Sequence, residues 1–98
     1  MYIVRDIFNL KYGHFRPVKT MIDEAMKIEM FPKSKSHRVL SDFTGGAYRL
    51  IMETGFDSLA DFEKELSRDM SKPEFQEWYK KFIEHVKSGE REILKVIM

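Results

Sequence analysis

The stretch that decides the fold runs from Ser36 to Phe56, SHRVLSDFTGGAYRLIMETGF. Gly45-Gly46 sits between two runs of alternating character, and a two-residue hairpin turn needs the positive φ that glycine adopts without steric cost. Counting outward sets a register in which Phe43 faces Tyr48, Asp42 faces Arg49, Leu40 faces Ile51, Val39 faces Met52 and Arg38 faces Glu53. Both acid–base pairs then share one face with Leu40 and Ile51 between them. Val39, Ser41, Phe43, Tyr48, Leu50 and Met52 share the other, as a half-buried sheet requires.

Working outward, Tyr2 to Leu10 is rich in β-branched and aromatic residues and reads as a first strand. One of its faces carries Tyr2, Val4, Asp6, Phe8 and Leu10, the other Ile3, Arg5, Ile7 and Asn9. After Lys11-Tyr12-Gly13, a helix is expected from about His14 to Met30, with Pro17 in its first turn and Val18, Met21, Ile22, Ala25 and Ile28 as its apolar stripe. Phe31-Pro32 ends it. Beyond the hairpin, Ser58 with Asp61 resembles a capping box over a helix buried through Leu59, Phe62 and Leu66. Ser71-Lys72-Pro73-Glu74 then opens another helix, whose stripe is Phe75, Trp78, Tyr79, Phe82, Ile83 and Val86. Lys87-Ser88-Gly89 reads as a helix stop with Gly89 in the left-handed cap. Glu90 to Met98 is the last strand, Leu94, Val96 and Met98 opposing Arg91, Ile93, Lys95 and Ile97.

This order, β-α-β-β-α-(α)-β, is an α+β, ferredoxin-like pattern: a four-stranded antiparallel sheet with helices on one face. A length of 98 residues suggests a single domain over 1–98. With 17 basic and 16 acidic residues there is no electrostatic case for nucleic acid or an anionic membrane. The absence of cysteine excludes disulfides, thiol catalysis and cysteine-ligated metal, and is compatible with a cytoplasmic location. No apolar run is long enough to span a membrane. Arg5 and Asp6 interrupt the first apolar run, which does not suit a signal peptide.

The sheet face away from the helices is expected to show Ile3, Arg5, Ile7, Asn9, Arg38, Leu40, Asp42, Arg49, Ile51, Glu53, Arg91, Ile93 and Lys95. Aliphatic residues there alternate with charges that can pair. A homodimer with two such faces opposed would bury the aliphatics centrally and leave the ion pairs toward the rim. The expected interface is Arg5, Ile7, Arg38, Leu40, Asp42, Arg49, Ile51 and Glu53; the competing reading is a solvated face with local ion pairs.

Three stretches carry a resemblance. They are Tyr2-to-Gly13 as strand and glycine turn, Thr54-Gly55-Phe56-Asp57-Ser58-Leu59-Ala60-Asp61-Phe62, and Lys72-Pro73-Glu74-Phe75-Gln76-Glu77-Trp78. Through them essentially the whole chain resembles the dimeric α/β-barrel superfamily, and within it the NIPSNAP-like proteins and their antibiotic-biosynthesis-monooxygenase relatives. The resemblance implies a dimeric barrel, a ligand pocket between helices and sheet, and a choice among cofactor-independent oxygenases, haem-degrading enzymes, isomerases and proteins without assigned chemistry. Haem-degrading relatives carry a tryptophan and a haem-ligating histidine on later helices, where this chain has about Glu65 and Tyr79. No cofactor is therefore expected.

Asp6 is the first candidate for chemistry, because it lies on the helix-facing side of its strand, where desolvation suits a general base. The alternative is a structural aspartate bonded within the fold. Ser41, Tyr48, Tyr79 and His85 are the residues expected to orient a ligand, although a serine and tyrosine on an inner sheet face also serve cores, and a histidine near a helix end can bind terminal carbonyls. The three histidines, His14, His37 and His85, show no metal-ligand spacing, so no metal site is expected. Two functions stand: a small-molecule enzyme, by resemblance a cofactor-independent monooxygenase acting on a partly aromatic ligand, and a non-catalytic dimeric interaction or ligand-binding module.

Overall fold

The computed structural model describes residues 1–28, 33–43 and 48–98. Its elements are β1 (Tyr2–Leu10), α1 (Phe15–Lys27), β2 (Ser36–Ser41), β3 (Arg49–Phe56), α2 (Leu59–Met70), α3 (Pro73–Ile83) and β4 (Val86–Lys95). The strands form one open sheet in the order β2-β3-β1-β4, every neighbour antiparallel. This is the ferredoxin-like arrangement.

The hairpin register is the one counted from the sequence. Arg38 pairs with Glu53, Val39 with Met52 and Leu40 with Ile51. Asp42 stays joined to Arg49, its Oδ1 accepting from Nε at 2.8 Å and its Oδ2 from the Arg49 backbone N–H at 3.0 Å. The Gly45-Gly46 tip lies outside the described residues. Phe43 and Tyr48, expected to face each other, lie beyond the ladder, since β2 ends at Ser41 and β3 begins at Arg49. Tyr48 has φ 65°, a left-handed conformation uncommon for a side-chain-bearing residue. Its carbonyl accepts from Leu10 N–H at 2.8 Å, and its ring meets Tyr12 edge-on. Phe43 is fully exposed.

α1 seats Val18, Ile22 and Ala25 in the core, while Ile28 caps the helix in solvent instead of extending its stripe. The expected stop at Phe31-Pro32 lies outside the described residues. Ser58 caps α2 by accepting from Asp61 N–H at 3.1 Å. Ser71 does not cap α3. Its hydroxyl donates to the Arg68 carbonyl at 2.8 Å, closing α2, and Lys72 precedes Pro73 as the cap residue.

The largest correction concerns β4. The strand starts at Val86, so Gly89 is a strand residue opposite Phe8 and not a helix cap. A Cβ on Gly89 would touch the Phe8 ring and the Ile7 carbonyl at 3.4 Å, within van der Waals contact. Arg91 pairs with Asp6, Ile93 with Val4 and Tyr2 with Lys95. Arg91, Ile93 and Lys95 therefore share the helix-side face, and Glu90 and Glu92 lie on the open one. In an edge strand exposed along nearly its whole length, alternation carries no record of which side is inside, so parity is undetermined until the partner strand is known.

The core joins Leu10, Val18, Ile22, Leu50 and Phe82. On the open sheet face Glu53, 7 % exposed, accepts from Arg5 Nη2 and Arg38 Nε, each at 3.1 Å. Hydrogen bonding to Arg38 is the chief reason its carboxyl is held below the usual carboxylate range; Arg5 and both positive charges add to this, against the desolvation that opposes it. A depressed carboxyl contributes stability that is present above its unfolded value and lost as pH falls through the folded one. Glu53→Gln should destabilise the protein by about 1–3 kcal/mol at pH 7 in urea unfolding. The difference from wild type should shrink once pH drops below the ordinary glutamate range.

Candidate functional site

The walls of the principal cleft come from α3 and from the end of α2 where it meets β1 and β4. Helical spacing puts Phe75, Trp78, Tyr79 and Phe82 on one side of α3. Phe75 stacks on Tyr79 at 5.8 Å between centroids, and Trp78 stacks on Phe82 at 4.9 Å. Phe82 in turn meets the Phe8 ring edge-on at 4.8 Å, which presses α3 onto the central strand. The Trp78 indole N–H donates to the Met21 carbonyl at 3.1 Å, tying the same helix to α1. Together with Leu66, Met70, Ile83 and Val86 these rings enclose about 620 Å³.

Besides Glu90 on β4, three charged residues line this apolar setting. Asp6, about a quarter exposed, accepts a 2.6 Å hydrogen bond from Arg91 Nε. The Arg91 guanidinium lies 5.3 Å from the centre of the Phe62 ring. Asp6 is therefore a paired carboxylate at the cleft edge, not an isolated one in apolar surroundings. The third is Asp69, 2 % exposed, whose carboxylate oxygens accept no hydrogen bond. Lys72 Nζ stands 3.3 Å from its Oδ1 as an ion pair, without the alignment of a hydrogen bond. A buried acid in the last turn of α2 is also opposed by that helix's own dipole. Buried carboxylates are usually satisfied, so Asp69 marks the cleft as a place where stability is given up. Sequence reasoning missed it as a site residue. The available signal was an acid interrupting the apolar stripe at Asp69-Met70-Ser71.

The structure brings together only some of the expected residues. Asp6 and Tyr79 both line this cleft. Ser41 lies in a second depression of about 360 Å³ between α1 and β2, with Phe15, Ile22 and Leu50. Tyr48 sits with Tyr12 at the end of β3. His85, between α3 and β4, points its Nδ1 at that of His14, 2.8 Å away. Arg5, Arg38 and Glu53 form one ion cluster on the open sheet face, with Arg49–Asp42 beside it, Leu40 and Ile51 half-buried and Ile7 buried. Among the described residues no group of three or more His, Asp or Glu is placed to hold a metal ion, and no helix is long and apolar enough to cross a membrane.

No family model matches the chain, and no curated protein does. Solved structures do. A NIPSNAP family protein of unknown function from Agrobacterium tumefaciens superposes with a TM-score of 0.84 at 18% identity, over 98% of this chain and 87% of that one. An uncharacterized NIPSNAP domain protein from Burkholderia xenovorans gives 0.85 at 10% identity, over 98% and 94%. The fold is that of the NIPSNAP-like structures. A protein described as an antibiotic biosynthesis monooxygenase gives 0.74 at 13% identity over the full length of both chains. Identities this low carry the fold and leave the chemistry to the site.

Replacing the unsatisfied acid should separate stability from function. Asp69→Leu should raise the unfolding free energy by about 1 kcal/mol, because it removes a buried charge and leaves Lys72 free to reach water. Thermal and urea unfolding of the two proteins measure it directly.

Proposed function

We propose that the protein binds a small, partly aromatic organic molecule in the cleft along α3. The observation that carries this reading is a buried, unsatisfied carboxylate, Asp69, in a wall otherwise built of aromatic rings. Flat ligand rings would stack on Phe75 and Tyr79, and a donor group on the ligand would supply the hydrogen bond that Asp69 lacks. The likeness in fold to a protein described as an antibiotic biosynthesis monooxygenase favours an oxidation. In that reaction Asp6, oriented by Arg91, takes a proton from a C–H group of the substrate; the carbanion adds dioxygen, Asp6 returns the proton to give a hydroperoxide, and loss of water leaves a carbonyl, with dioxygen as the oxidant. His85, Ser41 and Tyr48 lie outside this cleft and have no part in the proposal.

The protein is further proposed to act as a homodimer joined through its open sheet face. Ile3, Leu40 and Ile51 remain partly exposed there beside the Arg5–Glu53–Arg38 cluster. Sedimentation at micromolar concentration should return the mass of a dimer; a monomer rejects the opposed-sheet arrangement.

Trp78 is the chain's single tryptophan and lines the cleft, so its emission reports occupancy. A panel of hydroxylated and fused-ring aromatics should contain compounds that shift it saturably. Asp6→Asn should then leave such binding within a few-fold and lower oxygen uptake by about 100-fold or more. If no compound in the panel perturbs Trp78, the ligand reading fails. If compounds bind and none is turned over, the protein is a binding module.

A further inference from the structure

His14 and His85 are 71 positions apart, and their spacing in the chain announces nothing. In the fold their Nδ1 atoms lie 2.8 Å apart and their ring centroids 5.1 Å apart. That centroid separation is the nitrogen–nitrogen distance plus about one ring radius at each end, so the rings meet head-on along their lone-pair directions. Such a contact holds one proton. One ring donates its Nδ1–H and the other accepts through an unprotonated Nδ1. A ring protonated on both nitrogens can only donate, so two imidazolium rings cannot form the bond and would repel at this distance.

The pair joins two loops that position the cleft. His14 immediately precedes α1; its N–H donates to the Lys11 carbonyl at 3.0 Å, and its carbonyl accepts from Val18 N–H at 3.2 Å. His85 follows α3; its carbonyl accepts from Lys11 N–H at 2.9 Å, and its N–H donates to the Phe82 carbonyl at 3.0 Å. The next residue, Val86, lines the cleft, and α3 carries the aromatic wall. The charged groups nearest the pair along the chain are Lys11 and Arg16 beside His14, and Lys80, Lys81, Glu84 and Lys87 beside His85. Among the described residues none of them forms an ion pair with either ring.

We propose that His14 and His85 form an acid-released clasp. At neutral pH one shared proton ties the start of α1 to the end of α3. Protonation of both rings breaks the tie and loosens the α3 wall. The clasp stands on its own geometry; its effect on ligand binding rests on the cleft being the ligand site.

The test uses the intact chain between pH 8 and pH 4, through and below the range in which histidine ordinarily takes up its proton, because the first proton leaves the shared bond in place. Nitrogen-15 NMR of the wild-type imidazoles should show one ring protonated at Nδ1 and the other unprotonated there at pH 8, with both Nδ1 atoms protonated in acid. A double-mutant cycle of His14→Ala and His85→Ala in urea unfolding should show a coupling of about five-fold in the folding equilibrium at pH 8, lost at pH 4 where both rings are protonated on both nitrogens. Both rings protonated at Nε2 at pH 8, or a coupling equal at the two pH values, overturns the clasp. A clasp that titrates while ligand binding at Trp78 stays constant over the same range overturns its link to the cleft. No ligand response at pH 8 overturns the ligand reading and leaves the clasp to the NMR result.

Discussion

Most of this structure depends on how one helix is held to one strand. Phe82 is almost completely buried, with its ring edge against Phe8 on one side and the Trp78 indole stacked on the other. The Phe8–Phe82 contact presses α3 onto β1, one of the two internal strands of the sheet, while the Trp78 hydrogen bond to Met21 holds the same helix to α1. Packing of this kind is intolerant of lost volume; truncating a fully buried phenylalanine typically costs about 3–5 kcal/mol. Because Trp78 and Phe82 serve the core on one side and the cleft on the other, the protein builds its candidate site from the residues that stabilise it.

The two faces of the sheet solve different physical problems. On the helix side, apolar packing leaves a cleft in which one carboxylate is paired, Asp6 with Arg91, and one lacks any hydrogen bond, Asp69. On the open side, Glu53 is buried between two arginines within a single chain. Its charge is compensated before any partner arrives, so association through this face would not have to satisfy a bare glutamate. The aliphatic residues around it are what a partner would cover.

Much of the architecture was legible in the sequence. Alternation over Arg38–Leu40 and Ile51–Glu53 sets the β2–β3 register, and the i, i+3, i+4 spacing of Phe75, Trp78, Tyr79 and Phe82 marks the face of α3 turned toward the core and the cleft. Asp6 on the helix side and Ser58 at the head of α2 were readable for the same reason: each is a local rule acting within a few residues. Where a segment is exposed on both sides, or where two elements abut, local rules stop deciding. Gly89, read from its neighbours as a helix cap, is a strand residue opposite Phe8, and the parity of β4 follows only from its pairing with β1.

The sequence alone determined the element order, the hairpin register and the apolar face of each long helix, since periodicity and glycine placement act along the chain. Tertiary structure alone decided which distant side chains meet. It placed Arg91 on Asp6, buried Asp69 beside an aromatic wall, left Ser41 and Tyr48 outside the cleft, and set His14 against His85. Those contacts join residues far apart in sequence, or depend on how α2, α3 and β4 sit on the sheet. No spacing along the chain encodes them.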